Sequence, residues 1–197
     1  MFTGIIVATG LISSRQELRG DVQMGFDAGQ LDLAKVATGD SVSVQGVCLT
    51  VTRKEGSRFF ADLSRETLVR TTLGGRAVGA RINLELSLRA GDALGGHLVS
   101  GHIDAVGQLI ALAQDARSWR LRFALPAELA RLVAPKGSIC IDGVSLTVNE
   151  VDGSEFGVNI IPQTHQATTL GELRVGDGVN VEVDQIARYL ARLMSTP

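Results

Sequence analysis

SVSVQGVCLTV, residues 41–51, and SICIDGVSLTV, residues 138–148, are one phrase written twice, 97 positions apart. The apolar residues alternate with polar ones, the period of a half-buried strand. Gly46 near the middle of the first copy suggests a bulge or a close backbone approach. The same offset holds without a gap well beyond the phrase. Gly56, Ser57 and Phe59 meet Gly153, Ser154 and Phe156, and Thr67 meets Thr164. Thr71-Thr72-Leu73-Gly74 meets Thr168-Thr169-Leu170-Gly171, and Asn83 and Glu85 meet Asn180 and Glu182. At the start of the chain Gly4, Ile6, Ala8 and Gly10 meet Gly101, Ile103, Ala105 and Gly107. So long a period is not that of a solenoid repeat. Two tandem domains of one fold are the economical account.

Each copy reads mainly as β structure. RFFADLS follows the Gly56-Ser57 turn as the second strand of a hairpin, and RINLEL is a third strand. EFGVNII and GVNVEV match them in the second copy. One helical piece is expected in each copy, around QLDLAKV and PAELARLV, the latter with Pro126 in a first turn. Six short strands and a small helix in about 90 residues predict a small closed Greek-key barrel. The fold class is therefore all-β: two tandem six-stranded barrels related by duplication. DQIARYLARLM then places Ile186, Tyr189, Leu190 and Leu193 on one face of a C-terminal helix. The expected division is 1–95, 96–184 and an oligomerisation helix over 185–197.

Bulk properties bound the function. The chain has 197 residues, 45% of them hydrophobic, and a formal net charge of −2. No basic field is offered to nucleic acid or an anionic membrane. One Trp and one Tyr leave few stacking platforms for an oligonucleotide. Two cysteines make no disulfide framework, so reduced thiols in a cytoplasmic protein are expected. MFTGIIVATGLI is apolar but short and lacks a basic n-region, so no signal peptide is expected. No stretch is long enough to span a bilayer.

Where the copies agree, the residue serves the fold or a common ligand. Where they differ, labour can be divided. Cys48 faces Ser145, His102 faces Ile5, Lys136 faces Gly39, Asp184 faces Ser87 and Phe2 faces Val99. Each also has a plainer reading. A lone Cys in a strand is a small hydrophobe, and Asp184 is placed to cap the last helix. His97 and His102 are five apart with no Cys-x-x-Cys beside them, which disfavours zinc. Neither a GxGxxG fingerprint nor a P-loop is present. The residues alone lead to two tandem barrels binding two similar ligands.

MFTGI at the N-terminus, GVCLTV, GGHLVSGHID, KGSICIDGVSLTV and the paired TTL segments resemble the riboflavin synthase alpha-chain family over essentially the whole chain. The resemblance implies a dismutation without cofactor or metal. Two molecules of 6,7-dimethyl-8-ribityllumazine would yield riboflavin and 5-amino-6-(ribitylamino)uracil. It also implies a homotrimer, with each site between the N-terminal barrel of one subunit and the C-terminal barrel of a neighbour. Carried over, Cys48, His102, Phe2, Ser41, Lys136, Ser145 and Asp184 would be catalytic. Thr50, Asp62, Ser64, Thr67, Ile103, Thr147, Ile160, Ile161 and Thr164 would bind substrate. Sheet or cap hydrogen bonding is the plainer reading of Thr67 and Thr164. Gln45, Ser64-Arg65, Leu86 and Gln163 depart from the family pattern, and none of them is a proposed catalytic group. The alternative is a carrier similar to the lumazine proteins of luminous bacteria, which typically lose the Cys48 and His102 equivalents.

Overall fold

The computed structural model describes residues 1–194; the last three positions of the expected C-terminal segment, 195–197, lie outside the described residues. The first barrel is built from β1 (Ala8–Leu18), β2 (Asp21–Asp27), β3 (Ser41–Val44), β4 (Val47–Glu55), β5 (Arg58–Leu63) and β6 (Arg81–Leu86). The second uses β7 (Ala105–Asp115), β8 (Ser118–Ala124), β9 (Ser138–Ile141), β10 (Val144–Asp152), β11 (Glu155–Ile160) and β12 (Gly178–Val183). Both sheets close, the first in the order β1-β2-β5-β4-β3-β6, and the second in the equivalent order. All pairings within the barrels are antiparallel, so closure leaves no free edge. Even the bulges repeat. Register slips between Ile12 and Ser14 and between Val51 and Arg53 recur between Leu109 and Ala111 and between Val148 and Glu150.

The repeated phrase is a hairpin. Its first half is β3 and its second half opens β4, so the expected bulge at Gly46 is a two-residue turn instead. Gln45 (φ 53°) and Gly46 (φ 83°) carry the paired positive φ of a type I′ turn, as do Asp142 (φ 48°) and Gly143 (φ 85°). The expected close approach is there too. A Cβ on Gly46 would lie 2.7 Å from the Gly143 nitrogen, because the two turns meet tip to tip between the barrels.

The helices differ more from expectation. QLDLAKV holds only a three-residue 3-10 turn, Leu33–Lys35, and PAELARLV forms the 3-10 segment Ala127–Leu132 with Pro126 at its cap. A true α-helix follows the fifth strand of each barrel: α1 (Arg65–Arg70) and α2 (Pro162–Ala167). These helices are too short for an apolar period to be visible. Ser64 caps α1, its hydroxyl accepting from the Thr67 amide at 3.2 Å. The last helix, α3 (Gln185–Met194), is capped by Asp184, whose carboxylate accepts from the Ile186 amide at 2.9 Å. Ile186, Tyr189, Leu190 and Leu193 on it are all exposed in the single chain. Among the described residues no helix is long and apolar enough to cross a membrane.

Each barrel has its own core, around Phe26, Phe59 and Leu84 in the first and Phe123, Phe156 and Val181 in the second. Between them lie Phe2, Val99 and Cys140, with Cys48 packed alongside. The strap before each barrel crosses to the other. Ile6 precedes β1 yet packs on the second core; Ile103 precedes β7 yet packs on the first.

Candidate functional site

The crossing of the straps builds the site. Residues 2 and 99 pair at its centre: the Phe2 amide donates to the Val99 carbonyl at 2.7 Å, and the Val99 amide returns the bond at 3.1 Å. Beyond this bridge the two straps diverge. Gly101 lies on β4, where the Cys48 amide donates to its carbonyl at 2.9 Å. Gly4 lies on β10, where the Ser145 amide donates to the Gly4 carbonyl at 2.8 Å. Only glycine fits either place. Both have positive φ, and a Cβ at either would sit 2.6 Å from the Cβ of Cys48 or Ser145.

A cavity of about 420 Å³ opens beside Cys48. Its walls are Val47 and Cys48 from β4, Glu66, Thr67 and Arg70 from α1, Thr71, and residues 101–104 of the second strap. The structure thus brings Cys48, Thr67, His102 and Ile103 to one place, though His102 arrives from the linker of the second barrel. Arg70 donates to Glu66 across one helical turn at 2.9 Å. Asp104 holds Arg188 of α3 at 2.8 Å, which ties the C-terminal helix to this cavity. A thiol, an imidazole and a ring of paired charges on an open cavity can exchange protons with a polar heterocycle.

The equivalent place in the second barrel is different. Ser145 Oγ lies 2.7 Å from His97 Nδ1, and Gly96 lies against the same side chain. Burial holds the His97 imidazole below its usual range, while nearby Asp184 and Glu182 pull the other way. His97 has no counterpart in the first copy, and in the sequence it invited only a metal reading. By the 97-residue offset, Ile5 takes the place of His102, Val7 of Asp104, Gln163 of Glu66 and Ala167 of Arg70.

The lumazine binding domain family model matches this chain twice, over residues 3–87 and 100–184, which are the two barrels with their straps. The riboflavin synthase of Photobacterium phosphoreum is 43% identical over 194 residues, covering 98% of this chain and 89% of that protein. The chain belongs to the riboflavin synthase family. The riboflavin synthase of Mycobacterium tuberculosis (strain ATCC 25618 / H37Rv) is 42% identical over 198 residues, covering 98% of each chain. Among solved structures, LumP complexed with riboflavin matches with a TM-score of 0.86 at 27% identity, covering 93% of this chain and 99% of that one. LumP complexed with 6,7-dimethyl-8-(1'-D-ribityl) lumazine matches at 0.83 and 26%, with the same coverage.

The remaining residues picked out by the family resemblance scatter around these two places. Phe2 is fully buried between the barrels. Ser41 lines a separate cavity of about 370 Å³ with Lys35, Asp40, Ser87 and Arg89, and its register partner Thr50 is exposed on β4. Asp62 accepts from Gln23 Nε2 at 2.9 Å. Ser64 and Thr67 share a side-chain bond at 3.0 Å, the cap bonding that is the plainer reading of Thr67. Thr164 lies in α2, where its carbonyl accepts from the Thr168 hydroxyl. Ile160 is buried in the second core while Ile161 is exposed. Lys136 sits in an exposed turn at φ 68°, and Thr147 is exposed on β10. In the single chain none of Ser41, Lys136, Thr147 or Asp184 lines the Cys48 cavity.

Proposed function

We propose that this chain is a riboflavin synthase, a transferase that dismutates two molecules of 6,7-dimethyl-8-ribityllumazine to riboflavin and 5-amino-6-(ribitylamino)uracil. The observation that carries the reading is Cys48 of one barrel meeting His102 from the strap of the other over an open cavity, in a chain that holds the lumazine-binding unit twice. The two products together contain every atom of the two substrates, so no oxidant, reductant or other co-reactant is required. One lumazine loses a proton from its C7 methyl group, leaving a carbanion delocalised into the ring system. The other is attacked at C7 before ring opening. Identical substrates thus need unlike surroundings. His102 shuttles the proton, and Cys48 acts beside it.

On this reading residues 1–95 and 96–184 each bind one lumazine, and 185–197 serves assembly. Ser41 and Thr50 hold the ring and ribityl chain in the first barrel; Lys136, Ser145, Thr147 and Asp184 serve the second. Phe2 packs at the reacting pair. Backbone groups at Asp62, Ser64, Ile160 and Ile161 bond the pyrimidine edge. Thr67, Ile103 and Thr164 complete the contacts. The active unit is a cytoplasmic homotrimer in which the first barrel of one subunit faces the second barrel of a neighbour. The exposed apolar face of α3 supports an assembly role.

Incubation with 6,7-dimethyl-8-ribityllumazine alone tests the reading: riboflavin and the uracil product form in equal amounts. Tight binding without product would instead favour a carrier.

A further inference from the structure

Two carboxylates lie inside the junction between the barrels, and neither is an ordinary core residue. Glu85 on β6 and Glu182 on β12 are nearly inaccessible, at 4% and 1%. A carboxylate in such a place persists only if its oxygens are filled with donors. All the donors come from the straps. Glu85 Oε1 accepts from the Thr3 amide and hydroxyl, both at 2.6 Å, and Oε2 from the Gly4 amide at 3.0 Å. Glu182 repeats the pattern: Oε1 accepts from the Ser100 amide at 2.7 Å and hydroxyl at 2.6 Å, and Oε2 from the Gly101 amide at 2.8 Å. Short bonds to a charged acceptor are the stronger class.

Each glutamate grips the strap of its own barrel, but that strap finishes the other barrel's pocket. The residue whose amide Glu182 holds, Gly101, offers its carbonyl to Cys48. The next residue is His102. Glu182, on the second barrel, therefore sets where the imidazole stands relative to the thiol on the first. Glu85 in the same way holds Gly4 over Ser145. Burial pushes the Glu85 carboxyl above its usual range, against the pull of its bonds to Thr3 and Gly4.

We propose that Glu182 and Glu85 are positioning residues wired across the molecule, each ordering the pocket of the opposite barrel. The proposal rests on the reading of the Cys48–His102 cavity as the reaction site.

The test uses the full-length chain carrying Glu182→Gln or Glu85→Gln. Glutamine keeps the volume, but its amide must turn a donor toward one strap amide, so one bond is lost. Hydrogen exchange read by mass spectrometry, without substrate, is expected to show a crossed pattern. Glu182→Gln speeds exchange of the peptide carrying Cys48 by about tenfold, the size of one charge-assisted bond, and spares the peptide carrying Ser145. Glu85→Gln does the reverse. A variant that is merely destabilised would loosen both peptides together, and that result overturns the proposal. If Glu182→Gln does not fold, Ser100→Ala removes one donor to the same carboxylate and is expected to give the same crossed pattern, weaker. Turnover of 6,7-dimethyl-8-ribityllumazine supplies the second readout: kcat falls about tenfold in Glu182→Gln with KM changing less. A crossed exchange pattern with unchanged kcat would also overturn it. A parent protein that makes no riboflavin while the exchange pattern stays crossed would sink the functional reading and leave the crossed ordering of the straps standing.

Discussion

The two pockets are made by one plan and furnished differently. In each, a strap glycine with positive φ lies on the strand after the type I′ turn, and a buried glutamate holds that strap. Around this shared frame the first pocket has Cys48, Glu66, Arg70, His102 and Asp104. The equivalent place in the second barrel has Ser145 with His97 2.7 Å from its hydroxyl, and by the 97-residue offset Gln163, Ala167, Ile5 and Val7 replace the other four. Every position that could titrate in the first is neutral in the second. Backbone geometry was retained through the duplication, while the protonatable groups differ: Cys48 and His102 line the first place, and His97 stands beside Ser145 at the second. A reaction that treats two identical molecules differently needs such a division.

The sharpest way to break this comparison is to remove the same position from both pockets. His102→Ala is expected to lower turnover by about a hundredfold, the lower end of what a positioned acid–base group contributes. Ile5→Ala, its counterpart, changes turnover only a few-fold, on the order of a lost packing contact. Steady-state kinetics on both variants decide it. Equal losses would mean that the pockets share the chemistry.

A smaller effect is expected from exchanging sulfur and oxygen. Cys48→Ser keeps the fold and ligand binding, since Ser145 already occupies the same backbone setting, but lowers turnover by about tenfold. Ser145→Cys in that background does not restore it, because the imidazole beside Ser145 is His97, not one at the position of Ile5 that matches His102. Riboflavin formation and equilibrium binding, measured together, separate the two effects. Undiminished turnover in Cys48→Ser would remove the thiol from the reaction.

The smallest effect concerns the junction itself. In the first turn Gln45 accepts from the Asn83 amide at 2.8 Å and donates to the Thr169 hydroxyl at 3.1 Å. In the second turn Asp142 accepts from the Asn180 amide at 2.8 Å, but its other oxygen has no hydrogen-bond partner among the described residues and lies 3.9 Å from Arg76. Thr72, the counterpart of Thr169, is likewise left without a partner for its hydroxyl among the described residues. Burial raises the Asp142 carboxyl from 3.8 to about 6, against the attraction of Arg76 and the bond from Asn180. A raised folded value means the neutral acid is favoured in the fold. Its contribution is therefore full below pH 3.8 and is lost as pH rises through about 6. Asp142→Asn stays neutral, tolerates the positive φ, and can donate to Thr72 as Gln45 does to Thr169. A tenfold change in proton affinity between the folded and unfolded chain is worth about 1.4 kcal/mol. Part is offset by the Arg76 charge left behind, so a net gain of about 1 kcal/mol is expected at pH 8. The gain should vanish near pH 4. Melting curves across that range check both the size and the sign.

The doubled barrel was legible because both signals behind it are local or repetitive. Alternation from Ser41 to Val51 marks strands directly, and a gapless offset needs no structure to be seen. Matched pairs such as Asn83 with Asn180 and Glu85 with Glu182 were legible as shared positions, though not as the joints between barrels. Cys48 and His102 stood out by differing from their counterparts. Family resemblance put them at one site, and the cavity brings them together from opposite barrels. The helices α1 and α2 were missed because a six-residue helix spans less than two turns. His97 was missed as a site residue because the first copy offers nothing to compare with it.

Sequence by itself determined the architecture: two equivalent sets of strands and an amphipathic tail, with the Gln45-Gly46 turn read only as a bulge. Periodicity and turn chemistry act between near neighbours in the chain, so they can be read along it. Tertiary structure alone decided that each strap crosses over, that His102 reaches the Cys48 cavity from the opposite barrel, and that a glutamate on one barrel holds the strap lying on the other. Those contacts join residues 54 and 81 positions or more apart, and no local pattern encodes them. They follow from two closed surfaces packing turn against turn, where every buried carboxylate and amide must find its partner in whichever strand comes to lie opposite.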